Sequence, residues 1–151
     1  MNAMDKRKNG NSGFSEELFV TLQRAAVTLL DEFAALVRPL GLTPAQYNVL
    51  RILRGGHQQP ISCSEIAGQM ITRDSDITRL VDRLEKQGLA KRVRESPDRR
   101  VVYVRITEKG LEMLKQLDRR VEEFHTQQFD LLNAQETQHL SALLKKSVHA
   151  G

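Results

Sequence analysis

Residues 71–110 constrain the fold of this chain more than any other part of its sequence. The first half of this segment carries apolar residues at three- and four-residue spacing: Ile77, Leu80, Val81 and Leu84. That spacing places them on one face, so a helix is predicted over residues 73–87. Two stretches rich in β-branched residues follow, 89–94 and 101–106, with the turn sequence ESPDRR between them. A helix followed by a β-hairpin in this way predicts a winged helix-turn-helix.

Two helix starts precede this segment and complete the helix-turn-helix. Thr43 is followed by a proline at the first helical position and by Gln46 three residues after the cap, which is a capping box. Ser62 and Glu65 form a second capping box with the same spacing. The short helix that Ser62 begins and the helix at 73–87 are therefore predicted to form the DNA-reading pair.

Both ends of the chain read as long, leucine-rich helices. Residues 14–40 and 111–151 each carry an apolar seam wider than a small lobe can cover, so we expect them to be dimerisation helices that pair with a second copy. Ser15 is the predicted N-cap of the first helix, and Leu131 is assigned to the seam of the helix that Thr107 begins.

The predicted organisation is a single structural unit that is mainly α with a small β-hairpin wing. Residues 1–13, rich in Asn, Gly, Ser and Lys, are predicted to be a flexible tail. Residues 41–110 form the winged helix-turn-helix region, flanked by the long N- and C-terminal dimerisation helices.

Positive charge is concentrated in the predicted wing. The whole chain of 151 residues has a net charge of +4, whereas residues 86–105 alone hold seven basic residues against two acidic ones. Concentrated positive charge on one element attracts polyanions through counterion release, so double-stranded DNA is the expected partner.

Other features exclude several classes of protein. One cysteine cannot form an intramolecular disulfide, no apolar run approaches the roughly 18 residues that cross a bilayer, and the charged N-terminus lacks an apolar signal segment. We therefore expect a cytoplasmic protein with no membrane partner. The sequence also lacks catalytic motifs and closely spaced histidine pairs. We therefore expect that the protein is not an enzyme and holds no metal or cofactor.

Three blocks of sequence carry a resemblance to a known family. They are LTPAQYNVLRIL, DITRLVDRLEKQGLAKR and SPDRRVVYVRITEKG, and in this order and spacing the chain resembles the MarR family of bacterial transcription regulators from about residue 14 to residue 150. The resemblance implies a homodimer that represses transcription from a pseudo-palindromic operator. It also implies release from DNA by a small aromatic or phenolic ligand, bound between the dimer region and each winged lobe.

The resemblance also assigns roles to individual residues. It matches Ser75, Thr78 and Arg79 to the family's recognition helix, and Arg99 and Arg100 to its wing. Further candidates for DNA contact, chosen by residue type, are Ser62, Thr72, Arg83 and Arg94, of which the two arginines are either generic phosphate contacts or solvated side chains. Ser62 and Thr72 are expected to be helix caps that also meet phosphate, and Arg79 to pair with guanine. Asp98 is expected to stiffen the wing, where either Arg99 or Arg100 enters the minor groove. Asp76 has two readings: it accepts a hydrogen bond from a cytosine amine, or it orients a neighbouring arginine.

Two further sites have alternative readings. Apolar and aromatic side chains with one arginine either line a pocket for an aromatic carboxylate or belong to the core: Phe33, Val37, Tyr47, Arg51 and Leu111. Cys63 is either a half-buried structural residue or the thiol of a redox-responsive regulator, because a helix N-terminus lowers a thiol pKa.

A different class of function also remains open. In this alternative the winged helix is a protein-interaction module whose hairpin docks an acidic partner. The outward hydrogen-bonding residues Ser75, Thr78 and Arg79 argue against it, because a docking face is more apolar.

Overall fold

The computed structural model describes residues 3–56, 59–72, 76–93 and 100–148, with side chains from Gly13 onward. Six α-helices, one 3-10 helix and three short strands follow one another along this part of the chain. They are α1 (Ala3–Val37), a 3-10 helix (Arg38–Leu40), α2 (Pro44–Gly55), β1 (Ile61–Ser62), α3 (Cys63–Gln69), α4 (Ile77–Lys86), β2 (Ala90–Val93), β3 (Tyr103–Ile106), α5 (Glu108–Gln128) and α6 (Ala134–Val148).

Side-chain caps begin α2, α3, α5 and α6, and the first three of these starts are predicted from the sequence. Thr43 and Gln46 exchange hydrogen bonds at the start of α2, and Ser62 and Glu65 do the same at the start of α3. The Thr107 hydroxyl accepts from the backbone N–H of Gly110 and begins α5. Asn133 and the residue three positions on exchange backbone-to-side-chain bonds at the start of α6. Each cap satisfies backbone donors that a helix end leaves unpaired.

The wing belongs to a three-stranded antiparallel sheet in the order β1–β3–β2. The predicted hairpin is confirmed: Ala90 of β2 lies opposite Ile106 of β3, and Val93 lies opposite Tyr103. The third strand, β1, was not predicted. It pairs Ile61 with Val104 and connects the start of α3 to the wing.

One hydrophobic core joins α2, α4, the sheet and the first half of α5. Its largest fully buried side chains are Leu50, Leu53, Ile66, Leu84, Leu89, Leu114, Leu117, Val37, Val49, Val81 and Val104. Val37, at the end of α1, and Leu114 and Leu117, on α5, connect the long helices to the winged lobe. The recognition helix α4 is thus held on a rigid base.

The structure corrects three helix boundaries. α1 starts at Ala3, so Ser15 lies inside a helix and is not its N-cap; no proline interrupts the preceding residues, and helix formers such as Ala3 and Met4 begin the helix. α4 starts at Ile77, and residues 73–75 lie outside the described part. α5 ends at Gln128, and Leu131 lies in the following turn with 94% of its surface exposed, so it is not part of the apolar seam.

The two ends of the chain leave large apolar side chains uncovered. On α1 these are Phe14, Leu18, Phe19, Val20, Val27 and Leu30, and on α6 they are Leu140, Leu143, Leu144 and Val148. No side chain of α6 is buried. Exposed apolar surface of this extent is typical of an interface.

Candidate DNA-binding surface and its supports

The recognition helix α4 has one buried and one exposed side. Ile77, Val81 and Leu84 are buried in the core. Three residues expected to meet DNA are exposed on the same helix: Thr78, Arg79 and Arg83. The core therefore fixes α4 while these polar side chains remain accessible to a groove.

Asp76 caps this helix and holds Arg79. One carboxylate oxygen of Asp76 accepts from the Arg79 backbone N–H at 3.1 Å, and the other lies 3.1 Å from Arg79 Nε. The Arg79 side chain is 80% exposed, so this pair adds little stability. Of the two readings for Asp76, the structure favours the one in which it orients an arginine.

Thr72 does not cap the recognition helix, because Asp76 takes that position. Thr72 lies in the bend between α3 and α4, where it is exposed. The neighbouring Ile71 donates its backbone N–H to the Asn48 side-chain oxygen at 3.2 Å, which connects the bend to α2. Both Thr72 and Asp76 are chemically suitable caps, and α4 begins after the later one.

Ser62 is confirmed as the cap of α3, but its hydroxyl is occupied. It donates to Glu65 Oε2 at 2.6 Å and accepts from the Glu65 backbone N–H at 3.2 Å, and only 5% of the residue is exposed. The Ser62 backbone N–H also donates to Glu65 Oε2, at 2.9 Å. The hydrogen bonds that the Ser62 hydroxyl and backbone N–H donate to this carboxylate lower the pKa of Glu65. A phosphate contact by Ser62 stays a prediction.

The arginine of β2 that the sequence counted as part of the positive patch is held by acids of α4. Arg92 Nη2 lies 2.7 Å from Asp82 Oδ1, and Arg92 Nη1 donates to Glu85. Burial opposes the charge of Arg92, but the hydrogen bonds that its guanidinium donates to Asp82 and Glu85, together with the negative charges of these two acids, outweigh burial and raise the arginine pKa. Helical periodicity places Asp82 away from the apolar seam of α4, and the structure pairs it with the wing strand.

A cleft of about 390 Å³ lies where the recognition helix, the start of α3 and the wing meet. Ser62 from the start of α3, Thr78 from α4 and Arg100 from the wing all line it, so the structure brings together three residues expected to meet DNA. Four other residues assigned to the DNA-binding surface lie outside the described residues: Ser75, Arg94, Asp98 and Arg99.

Cys63 also lines this cleft, next to Ser64. Burial raises the pKa of its thiol, and nearby Arg92 only partly offsets this. Because the thiolate is the reactive form, a raised pKa disfavours the redox reading.

The residues predicted to form a ligand pocket lie where the long helices meet the winged lobe. Val37 and Tyr47 are buried core residues, and Phe33 and Leu111 pack against the same core. The rings of Phe33 and Tyr47 are 5.2 Å apart, edge to face. Arg51 is exposed, and its charge acts to lower the pKa of Tyr47, although burial is the larger effect and raises it.

An ion pair crosses the same junction. Arg54 of α2 donates two hydrogen bonds to the two carboxylate oxygens of Asp118 on α5, each at 2.9 Å. These hydrogen bonds raise the pKa of Arg54. A bidentate arginine–carboxylate pair fixes direction as well as distance, so it sets how α5 meets the winged lobe.

Two absences hold for the described ranges. Within them, no three His, Cys, Asp or Glu side chains are grouped closely enough to hold a metal ion. None of the helices traced in that part of the chain combines the length and apolarity that crossing a bilayer needs.

The comparisons with known proteins agree with this arrangement. A model of the MarR family matches residues 42–102. The HTH-type transcriptional regulator MhqR of Bacillus subtilis (strain 168) is 33% identical over 103 residues, which are 68% of this chain and 70% of that protein. The chain belongs to the MarR family. As a MarR-family protein it is a DNA-binding transcription regulator and not an enzyme, which decides against the protein-docking alternative.

Solved structures of MarR-family proteins share the fold. A MarR transcription factor from Planctomyces limnophilus is 35% identical, with a TM-score of 0.69 over 86% of this chain and 94% of that one. A mutant MarR from Escherichia coli, solved in complex with operator DNA, is 26% identical, with a TM-score of 0.78 over 87% of this chain and 93% of that one. The mainly helical winged helix-turn-helix predicted from the sequence is confirmed.

Sequence reasoning missed two supports of the site. One is the pairing of Arg92 with Asp82 and Glu85, and the other is the ion pair between Arg54 and Asp118. In the first case the signal was available: two acids three residues apart on a helix beside a basic strand. The second joins residues 64 positions apart, and no local pattern marks it.

Proposed function

We propose that this MarR-family regulator is a homodimer that represses transcription by occupying a pseudo-palindromic operator. The observation that carries the proposal is the combination of an anchored, exposed recognition helix with uncovered apolar faces on α1 and α6. In water these faces gain free energy by pairing, at about 25 cal/mol for each Å² of apolar surface removed. A second copy offers matching surfaces, because the interface of a symmetric dimer is self-complementary.

In this proposal each lobe reads one half-site. Thr78, Arg79 and Arg83 of α4 face the major groove, and Arg100 in the wing reaches the flanking minor groove, with Ser62, Thr72, Ser75, Arg94 and Arg99 as further contacts. Arg79 meets a base edge, since guanidinium groups pair bidentately with guanine. Two half-sites one turn apart are about 34–36 Å from each other, so the dimer must hold α4 and its copy at that spacing.

We also propose that a small aromatic or phenolic ligand releases the DNA. The proposed site is the junction where Phe33, Val37, Tyr47, Arg51 and Leu111 lie. A ligand wedged there acts on α5 and the winged lobe together, because their contact includes the Arg54–Asp118 pair. A small change in lobe spacing then removes simultaneous contact with both half-sites, and the avidity of the dimer is lost. The cytoplasm, where DNA and small metabolites are both present, is the proposed location.

Footprinting on the intergenic DNA beside the gene tests the proposal. We expect a protected segment with two-fold sequence symmetry, and loss of protection on adding one member of a panel of phenolic compounds. Peroxide, run in parallel, should leave the footprint in place. No protection of any flanking segment at low ionic strength would contradict operator binding, and protection unaffected by every phenolic compound would contradict ligand release.

A further inference from the structure

Arg92 is the one residue of β2 that the structure ties to α4 by both its side chain and its backbone. Its guanidinium contacts Asp82 Oδ1 at 2.7 Å, Glu85, and the Thr78 backbone oxygen at 3.4 Å. Its backbone N–H donates to Glu85 Oε1 at 2.7 Å. We call the group formed by Arg92, Asp82 and Glu85 the Arg92 clasp.

The Arg92 clasp runs along most of the recognition helix. Thr78, Asp82 and Glu85 are spaced i, i+4 and i+7, so they lie on one stripe of α4. At 1.5 Å per residue that stripe is about 10 Å long. One strand residue therefore holds α4 at three points, and these fix rotation as well as distance.

The wing follows α4 through the same strand. Arg92 lies opposite Val104, so the residue that contacts α4 is also paired with the other strand of the wing, β3. The orientation of β2 against α4 thus determines where the wing lies when α4 is in a groove.

The charges of the Arg92 clasp argue against a role in direct DNA contact. It contains one positive and two negative side chains, and the Arg92 side chain is only 31% exposed. A group with a net negative charge beside a phosphate backbone weakens DNA binding by electrostatics alone. The presence of the Arg92 clasp beside Arg79 and Arg83 is explained if it contributes to DNA binding by orienting α4 and the wing.

We propose that Arg92 is a positioning residue: the Arg92 clasp fixes the angle between α4 and the wing, so that both meet their grooves in the same half-site. The inference rests on the proposed function, because it requires operator binding by helix and wing together. Two contacts held at a fixed angle bind more tightly than two that move independently, since the second contact becomes intramolecular.

Neutralising the acids is a test in which charge and geometry predict opposite changes in operator affinity. Asp82→Asn with Glu85→Gln removes two negative charges from the DNA-facing lobe, so charge alone would tighten binding to every duplex. The Arg92 clasp predicts instead that operator binding weakens about tenfold, while binding to random duplex is unchanged or slightly tighter. The matched control is Glu112→Gln with Glu122→Gln, which removes two exposed acids from α5 and should leave the ratio of operator to random-duplex affinity unchanged.

Arg92→Lys separates position from charge in the same assay. Lysine keeps the positive charge but lacks the planar fork that reaches several acceptors at once. We expect it to lose operator affinity about as much as the acid variant does. Combining it with Asp82→Asn and Glu85→Gln should add little further loss, because all three changes break the same group.

The outcomes distinguish the two levels of the proposal. Tighter operator binding by the acid variant, or full operator affinity with Arg92→Lys, would overturn the positioning role while the proposed function stands. Equal affinity of the unaltered protein for operator and random duplex would instead remove the proposed function. Thermal unfolding of each variant checks that it is folded at the assay temperature. The single variant Asp82→Asn changes the protein less, and we expect it too to weaken operator binding.

Discussion

Gly110→Ala should destabilise the protein, although Gly→Ala within a helix is ordinarily stabilising. Gly110 is buried in the first turn of α5, where an added Cβ would lie 2.3 Å from the Leu89 carbonyl oxygen and 2.8 Å from Ile106 Cγ1. An ordinary carbon–oxygen contact is about 3.3 Å or longer, so the two backbone segments must separate by about 1 Å. The Leu89 carbonyl also accepts from the Thr107 N–H at 3.1 Å, and this hydrogen bond would be strained by that separation.

The expected cost follows from two opposing terms. Overpacking a tight contact costs about 1–3 kcal/mol, and here the upper end applies because the nearest atom is backbone. Alanine regains about 1 kcal/mol from its higher helix propensity. The net loss is about 2 kcal/mol, which lowers the melting temperature by about 4–8 °C in a chain of this length.

Gly68→Ala is the matched control, because Gly68 also lies in a helix but has no heavy atom within 4 Å of an added Cβ. It should be neutral or stabilising by up to about 1 kcal/mol. The two variants are compared by thermal unfolding at one chain concentration, since dimerisation makes the midpoint depend on concentration. If Gly110→Ala proved as stable as Gly68→Ala, the close approach of α5 to Leu89 and Ile106 would be wrong.

Three further predictions concern single side chains. Arg79→Ala should weaken operator binding by about 1–3 kcal/mol and relax base preference, measured by fluorescence anisotropy with base-substituted operators; an unchanged preference would exclude Arg79 from base recognition. The Ser62 hydrogen bonds lower the pKa of Glu65 below its ordinary value of 4.5, so their stabilisation is complete above that value and is lost as pH falls through the lower folded pKa. Glu65→Gln should therefore flatten the fall in urea midpoint below about pH 4.5, and a fall as steep as in the unaltered protein would contradict this. Because burial raises the pKa of the Cys63 thiol, iodoacetamide should alkylate Cys63 at pH 7 more slowly than it alkylates the thiol of free glutathione. Equal rates for the two thiols would restore the redox reading.

Local chemistry explains why much of the fold could be predicted. A capping box such as Thr43 with Gln46 depends only on residues three apart, and the buried seam of α4 depends only on helical periodicity. Neither needs knowledge of the rest of the chain.

The missed features depend on tertiary contacts or on choices between equivalent residues. On a helical wheel Asp82 lies away from the apolar seam, but β2 packs along that side and provides Arg92 as its partner. Thr72 and Asp76 are both suitable caps by residue type, and the local sequence does not show that α4 begins after Asp76. β1 has only two residues, too few to show an alternating pattern, and it forms because β3 provides its hydrogen-bonding partner.

The stoichiometry of the operator complex tests the central claim most directly. Sedimentation of the protein with a duplex that carries the footprinted site should show two chains on each duplex. Replacing one half-site with random sequence should weaken binding by about 100-fold, because avidity from the second lobe is lost. A single chain bound to each duplex, or the same affinity for the intact and the half-replaced site, would contradict a dimer that holds two recognition helices at the spacing of one DNA turn.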